Sequence, residues 1–404
     1  MKALQLSEYF SCVVIKRLSE VEVNVAQSNQ HELNGVAPFH ELFGEHKREN
    51  IPVDLFYFDD YQDDTLRADG ALTWYDAREK HPTRQEFRLY YTANEVLRNS
   101  RAGDLLLLGM RPDDSAIIIV ARSGSTAESQ VVSLFGLTQA ELDAVGFSRD
   151  IAEREVTLDY VARAILEELG IEVDESDESF LDVLLENFAD GFPGTQTFSA
   201  FARETLKDVA PEDDPDAAVI AWMDREEVLF KTLERHMVQE RLREGFWEDV
   251  DAFLSFATSI RQRRSSRAGY ALENHLKAVF DAFGVRYSHN AITENRSKPD
   301  FIFPGIREYS DEEFDQTLLM MLGSKRTCKD RWRQVLSEAA RIPSKHLFTL
   351  EPGISVAQTD EMQANRLQLV VPKAVHRTYT EAQREWLINL RSFVDLVAVK
   401  QNSI

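Results

Sequence analysis

Apolar and polar positions change their period once along this chain. Up to about residue 170 the apolar residues come in short, dense runs, at 9–16, 53–58, 86–91, 104–108 and 116–120. Runs this short, rich in β-branched and aromatic residues and parted by turn sequences such as Arg111-Pro112-Asp113-Asp114, predict strands. Several strands with irregular loops predict a mainly β, barrel-like domain over 1–170, closed by a helix at 161–169.

The segment 171–179 is acidic and poor in aromatic residues, the composition of an extended linker. From residue 180 the period lengthens. Helices are predicted at 180–188, 197–209, 217–245 and 250–260. Helix and strand patterns then alternate. A helix over 269–283 carries Leu272, Leu276, Val279, Phe280 and Phe283 on one stripe. Strands at 285–288, 301–303 and 318–322 follow, then a helix at 329–341 with Trp332, Val335, Leu336 and Ala339 on one face. Strands at 346–350 and 367–371 flank a helix at 356–365, and a last helix spans 381–399. The second domain, 180–404, is thus predicted to be an α/β sheet flanked by helices.

The 404-residue length fits two domains, and the formal charge is −23. Taken alone, that charge opposes binding to nucleic acid. It is partly sorted, however. Residues 261–300 hold eight Lys or Arg against four acids, and 325–345 hold seven against two. Two distant cysteines, Cys12 and Cys328, are too few for a zinc cluster. No apolar run approaches a membrane span, and the first residues lack a secretion-type apolar stretch, so a cytoplasmic, non-membrane setting is expected.

Candidate chemistry concentrates in the second domain. Asp300 opens the run Phe301-Ile302-Phe303, and Lys325 closes the run from Leu318 to Leu322. An acid and a lysine at the ends of adjacent strands suit metal-dependent hydrolysis of a phosphodiester. The common arrangement places a second acid two residues before the lysine, where this chain has Gly323. Glu338, on the helix that follows, is a candidate second acid, and Glu273 a further one. Singly, each has a plainer role as turn residue or exposed side chain. Together, in this order, they make a nuclease competitive.

These segments resemble a known family. Arg263-Arg264-Ser265-Ser266-Arg267-Ala268-Gly269, Lys298-Pro299-Asp300-Phe301-Ile302-Phe303-Pro304 and Thr327 to Gln334 are similar to the catalytic domain of EcoRII-type restriction endonucleases, in the PD-(D/E)XK superfamily. The resemblance covers roughly 180–404. It implies Mg²⁺-dependent cleavage of double-stranded DNA, with Asp300 and Glu338 holding the metal and Lys325 and Glu273 completing the catalytic set. It implies base reading by Lys329, Asp330 and Arg331, a pairing that suits guanine and cytosine edges. Arg264, Arg267, Tyr309 and Arg333 are further candidates for DNA contact. Tyr309 is read as either DNA-contacting or structural.

The first domain resembles the family's effector domain more weakly, through Tyr9-Phe10 and Ile15 to Ser19, which implies a B3-like pseudobarrel that binds DNA. Its reading arm is expected at 74–84, with Arg78, Lys80 and Arg84. The resemblance further implies a homodimer, a cognate DNA methyltransferase and a first domain that restrains the second. Two rivals stay open. One is a DNA-binding protein with a decayed nuclease domain. The other is a nuclease of phage defence or modified DNA.

Overall fold

A computed structural model describes the chain except residues 1–4, 24–30, 61–64, 82, 152–157, 169–170, 172, 174–176, 190, 248 and 328–330. Its described strands form two sheets. The first contains β1 (Cys12–Arg17), β2 (Glu32–Asn34), β3 (Arg48–Phe58), β4 (Leu66–Asp76), β5 (Phe87–Tyr91), β6 (Leu105–Met110), β7 (Ala116–Ala121) and β8 (Phe147–Asp150). Their order is β2-β5-β4-β3-β7-β6-β1-β8. Only the β3–β7 pair is parallel.

The apolar runs of β6 and β7 lie at the centre of this sheet and are buried on both faces. Period-2 alternation divides them. Leu105, Leu107, Ile117 and Ile119 join one core, and Leu106, Leu108, Ile118 and Val120 join another. The turn expected at 111–114 connects them, with Asp114 in the left-handed region. The helix Ala37–Phe43 follows edge strand β2 and reaches the opposite edge. There Glu41 accepts from Ser148 Oγ, and Val36 and Pro38 crowd Gly146. The sheet therefore curls until one short helix spans its two edges.

The second sheet contains β9 (Ser288–His289), β10 (Phe301–Phe303), β11 (Met320–Lys325), β12 (Lys345–Thr349) and β13 (Leu367–Val370), in the order β13-β12-β11-β10-β9. β9, β10 and β11 pair antiparallel, whereas β11, β12 and β13 run parallel. Phe280 meets Phe301, Phe303 and Phe393 edge-on or tilted, at centroid distances of 5.1, 5.2 and 6.4 Å. This is the buried side of the stripe read from Leu272 to Phe280.

Several boundaries differ from the sequence reading. The helices expected at 250–260 and 269–283 are one helix, Val250–Ala282. The basic stretch between them continues the helix and is not a break. The helix expected at 329–341 shortens to Trp332–Leu336, so Glu338 lies beyond its end. The last helix divides into Glu381–Trp386 and Leu390–Gln401, because Ile388 leaves the helix to bridge Val370.

The linker also differs where it is described. Val173 is buried in a core that runs on through both halves of the chain. In the first domain, Trp74 is no part of an arm. It is buried among Phe39, Phe43 and Phe87 and donates to the Gly44 carbonyl. Arg78, Lys80 and Arg84 remain as exposed residues of the β4–β5 connection, where Arg78 pairs with Glu86.

Candidate active site

Asp300 stands immediately before β10, whose Phe301 is in register with Leu322 of β11. The antiparallel pairing thus brings the Asp300 carboxylate to the outgoing end of β11. Asp300 Oδ2 accepts from the Ser324 backbone N–H at 2.6 Å and from Lys325 Nζ at 3.3 Å. Burial pushes the Asp300 carboxyl up, Lys325 and the Ser324 N–H draw it down, and the charge of Glu273 adds to the rise.

Gly323 explains the missing acid. A Cβ at this position would meet Val335 Cγ2 at 3.0 Å and Leu347 Cδ1 at 3.4 Å. The helix Trp332–Leu336 crosses that point of the strand. Residues 323 and 325 share a strand face, so the same crossing leads the chain back towards Lys325. Glu338 follows the helix by two residues. Its carboxyl is pushed up to about 7, by burial first and by the charge of Asp300 second, against Lys325 and Lys345.

The segment around Glu338 is fastened at two points. Lys345 Nζ is buried and donates to the carbonyls of Ile342 at 2.7 Å and Ala339 at 3.4 Å. Arg341 donates to the carbonyls of Tyr309 and Asp311. Glu273, on the helix Val250–Ala282, approaches from the other side. It contacts His289 Nε2 at 2.8 Å and accepts from Asn290 Nδ2 at 3.3 Å.

Lys325, Ser324 and Glu273 line a cleft of about 650 Å³ together with Arg264 and Arg331. Its far wall belongs to the first half of the chain, through Arg67, Tyr160 and Glu167. Arg326, which the sequence reading missed, ties the two walls. Its guanidinium lies 2.9 Å from Glu227 and 3.9 Å from Glu167. Its position directly after Lys325 at a strand end was the available signal.

Other candidates lie elsewhere. Arg267 stacks over Phe192, Phe198 and Phe230 and donates to the Pro193 carbonyl, so it packs the helical segment. Tyr309 is buried and donates to Glu294. Arg264 pairs with Glu234 at 2.6 Å but still lines the cleft. Arg333 pairs with Glu361 and stacks on Trp332. Lys329 and Asp330 lie outside the described residues. Arg331 is exposed on the cleft wall.

The second half is thus an α/β domain whose mixed sheet, flanked by helices, carries an acid and a lysine at adjacent strand ends. Residues 230–394 match the family model described as EcoRII C terminal. Over 182 residues, 45% of the chain, the sequence is 44% identical to the type II restriction enzyme EcoRII of Escherichia coli. That match spans 45% of the relative's length. Among solved structures, metal-depleted Ecl18kI in complex with uncleaved, modified DNA is similar at 17% identity and a TM-score of 0.44, covering 56% of this chain and 86% of that one. The PspGI–substrate DNA complex is similar at 17% identity and a TM-score of 0.45, covering 53% and 95%.

Proposed function

We propose that this protein is a site-specific type II restriction endonuclease that hydrolyses phosphodiesters of double-stranded DNA with Mg²⁺. The observation that carries this reading is the pairing of Asp300 with Lys325, which lines a cleft with arginines, with Glu338 near enough for the Asp300 charge to act on it. No cluster of three or more metal-ligating side chains converges among the described residues. Mg²⁺ does not require one, since it commonly takes one or two carboxylates and completes its shell with water and phosphate. Asp300 and Glu338 fit that donor set, because they are close enough for the charge of one to raise the other. Beside them Ser324 Oγ is buried without a hydrogen-bond partner.

Asp300 and Glu338 would hold the cation, which supplies an activated water and a polarised phosphate. Lys325, oriented by Asp300, donates to a non-bridging phosphate oxygen and stabilises the charge that develops there. Glu273 holds His289 at the cleft wall. Lys329, Asp330 and Arg331 follow the catalytic strand and are the proposed base-reading segment, with Lys and Arg donating to guanine and Asp accepting from cytosine. Arg264, at the cleft rim, is the proposed phosphate contact.

The curled first sheet supports a B3-like pseudobarrel as a second DNA-binding part, with Arg78, Lys80 and Arg84 exposed for contact. A homodimer would match a palindromic site. A cognate methyltransferase would protect the same site in the host cytoplasm. The test is cleavage of plasmid DNA by Asp300→Asn and Lys325→Ala. Both should lose at least about a hundredfold in rate while still binding DNA without metal. Cleavage that survives Lys325→Ala would remove the assignment.

A further inference from the structure

Glu338 sits on a segment, 337–344, that belongs to no helix or strand. A carboxylate there keeps one place only if the backbone around it is held. The residues that follow it, from Ala339 to Ile342, are held one by one by side chains from outside the segment. Ala339 has φ 46°, a left-handed conformation that alanine rarely adopts, and its carbonyl accepts from Lys345 Nζ at 3.4 Å. The Ala340 N–H donates to Glu294. The Arg341 N–H donates to Tyr309 Oη at 3.3 Å, and that hydroxyl donates onward to Glu294 at 2.6 Å. The Ile342 carbonyl accepts from Lys345 Nζ at 2.7 Å. The Arg341 guanidinium completes the fastening, donating to the carbonyls of Asp311 at 2.8 Å and Phe314 at 3.3 Å.

Lys345 is the member that packing does not explain. It opens β12 and is 7% exposed. A buried ammonium is unfavourable, and an apolar side chain of the same length would fill the space. Burial pulls the Lys345 ammonium down, and the charges of Glu338 and Glu294 hold it up. What the ammonium alone supplies is a donor that joins two carbonyls of the Glu338 segment from one atom.

We propose that Lys345, together with Arg341, is a positioning group that sets how tightly Asp300 and Glu338 hold their cation. It does not touch the cation. It fixes the backbone from which Glu338 projects, so that little ordering is left to be done on binding. The inference rests on the reading of Glu338 as a metal ligand given above. Charge and position oppose each other here. By charge alone, removing an ammonium beside a cation site tightens the cation. By position, removing it releases Glu338 and loosens the cation.

The test is binding of Mn²⁺, which accepts the same oxygen ligands as Mg²⁺, to the full chain at pH 8, with free Mn²⁺ counted by electron paramagnetic resonance. The site counted is the one that Glu338→Gln removes. Lys345→Met should bind there about tenfold more weakly than wild type, the loss typical of outer groups of a metal site. Arg341→Lys keeps the charge and gives up the forked contact to the carbonyls, so it should weaken binding as well. Leu72→Ala, in the core of the first sheet, should lower the melting temperature and leave Mn²⁺ binding unchanged.

Lys345→Met that binds Mn²⁺ as tightly as wild type, or more tightly, overturns the proposal. If Lys345→Met does not fold, Arg341→Lys decides alone, and unchanged binding there overturns it. Weakened binding in Leu72→Ala overturns it too, since general destabilisation would then account for the loss. Glu338→Gln separates the two readings. If that variant binds Mn²⁺ as wild type does, the metal assignment falls and this inference falls with it. If it loses the site while Lys345→Met and Arg341→Lys keep it, only this inference falls.

Discussion

Glu338 carries its acid in a half-buried place beside Asp300, and its carboxyl titrates at about 7 instead of near 4.5. The folded protein therefore binds this proton more tightly than the unfolded chain does. By linkage, the stabilising contribution is complete below about 4.5 and is lost as pH rises through about 7. Glu338→Gln mimics the protonated form at every pH. In metal-free protein, the melting temperature of wild type should fall relative to Glu338→Gln between pH 4.5 and pH 7.5. Adding Mg²⁺ at pH 8 should raise the melting temperature of wild type and leave Glu338→Gln nearly unmoved, because a ligand that binds only the folded state stabilises it. Parallel pH profiles for the two proteins would remove Glu338 from contact with Asp300.

The strand β11 and the helix Trp332–Leu336 act as one element, because Gly323 lets Val335 lie against the strand backbone. An acid at 323 would push into Val335 and Leu347 and would not reach Lys325. Gly323→Asp should therefore lower stability by at least about 1–3 kcal/mol in chemical denaturation, and it should not restore cleavage to Glu338→Ala. Restoration would mean that Val335 and Leu347 give way to a side chain at 323. This element also shows what the sequence discloses. The apolar runs of β6, β7, β10 and β12 are buried on both faces, so composition alone reveals them. The edge strands β2 and β8 and the polar half of β4 are short or half-exposed, and their pairing comes from neighbours distant in sequence. Asp300 and Lys325 were legible from their places at strand ends. Glu338 was legible by position, but its segment is shaped by Lys345 and Arg341, whose carbonyl partners no local pattern specifies.

At the scale of the whole molecule, the two halves share a core and face each other across the catalytic cleft. A cleft of about 650 Å³ has the size of a small-molecule pocket, and a DNA duplex needs an open trough. Arg67, Tyr160 and Glu167 of the first half line the same cleft as Lys325. Under the proposed function the first half would shift before cutting, and its restraint of the second half is a prediction open to test. The two halves are joined by Gln130 donating to the Pro352 carbonyl and by Asp60 accepting from Val356 N–H. Near the cleft, Arg163 meets Asp224 at 2.5 Å, and burial pushes the Asp224 carboxyl up while Arg163 draws it down. Removing one partner of a partly buried pair costs more than the pair contributes, because the other charge is left without compensation. Arg163→Ala, combined with Arg377→Ala, which releases Asp159, weakens the closed arrangement without touching Asp300, Lys325 or Glu338. A shift of 1–3 kcal/mol in such an equilibrium changes the active population about 5- to 150-fold. The double variant should therefore cut plasmid carrying one recognition site at least about fivefold faster than wild type, while its rate on two-site plasmid changes less. Equal or slower cleavage of the one-site plasmid, with the melting transition intact, would show that the first half does not restrain the second.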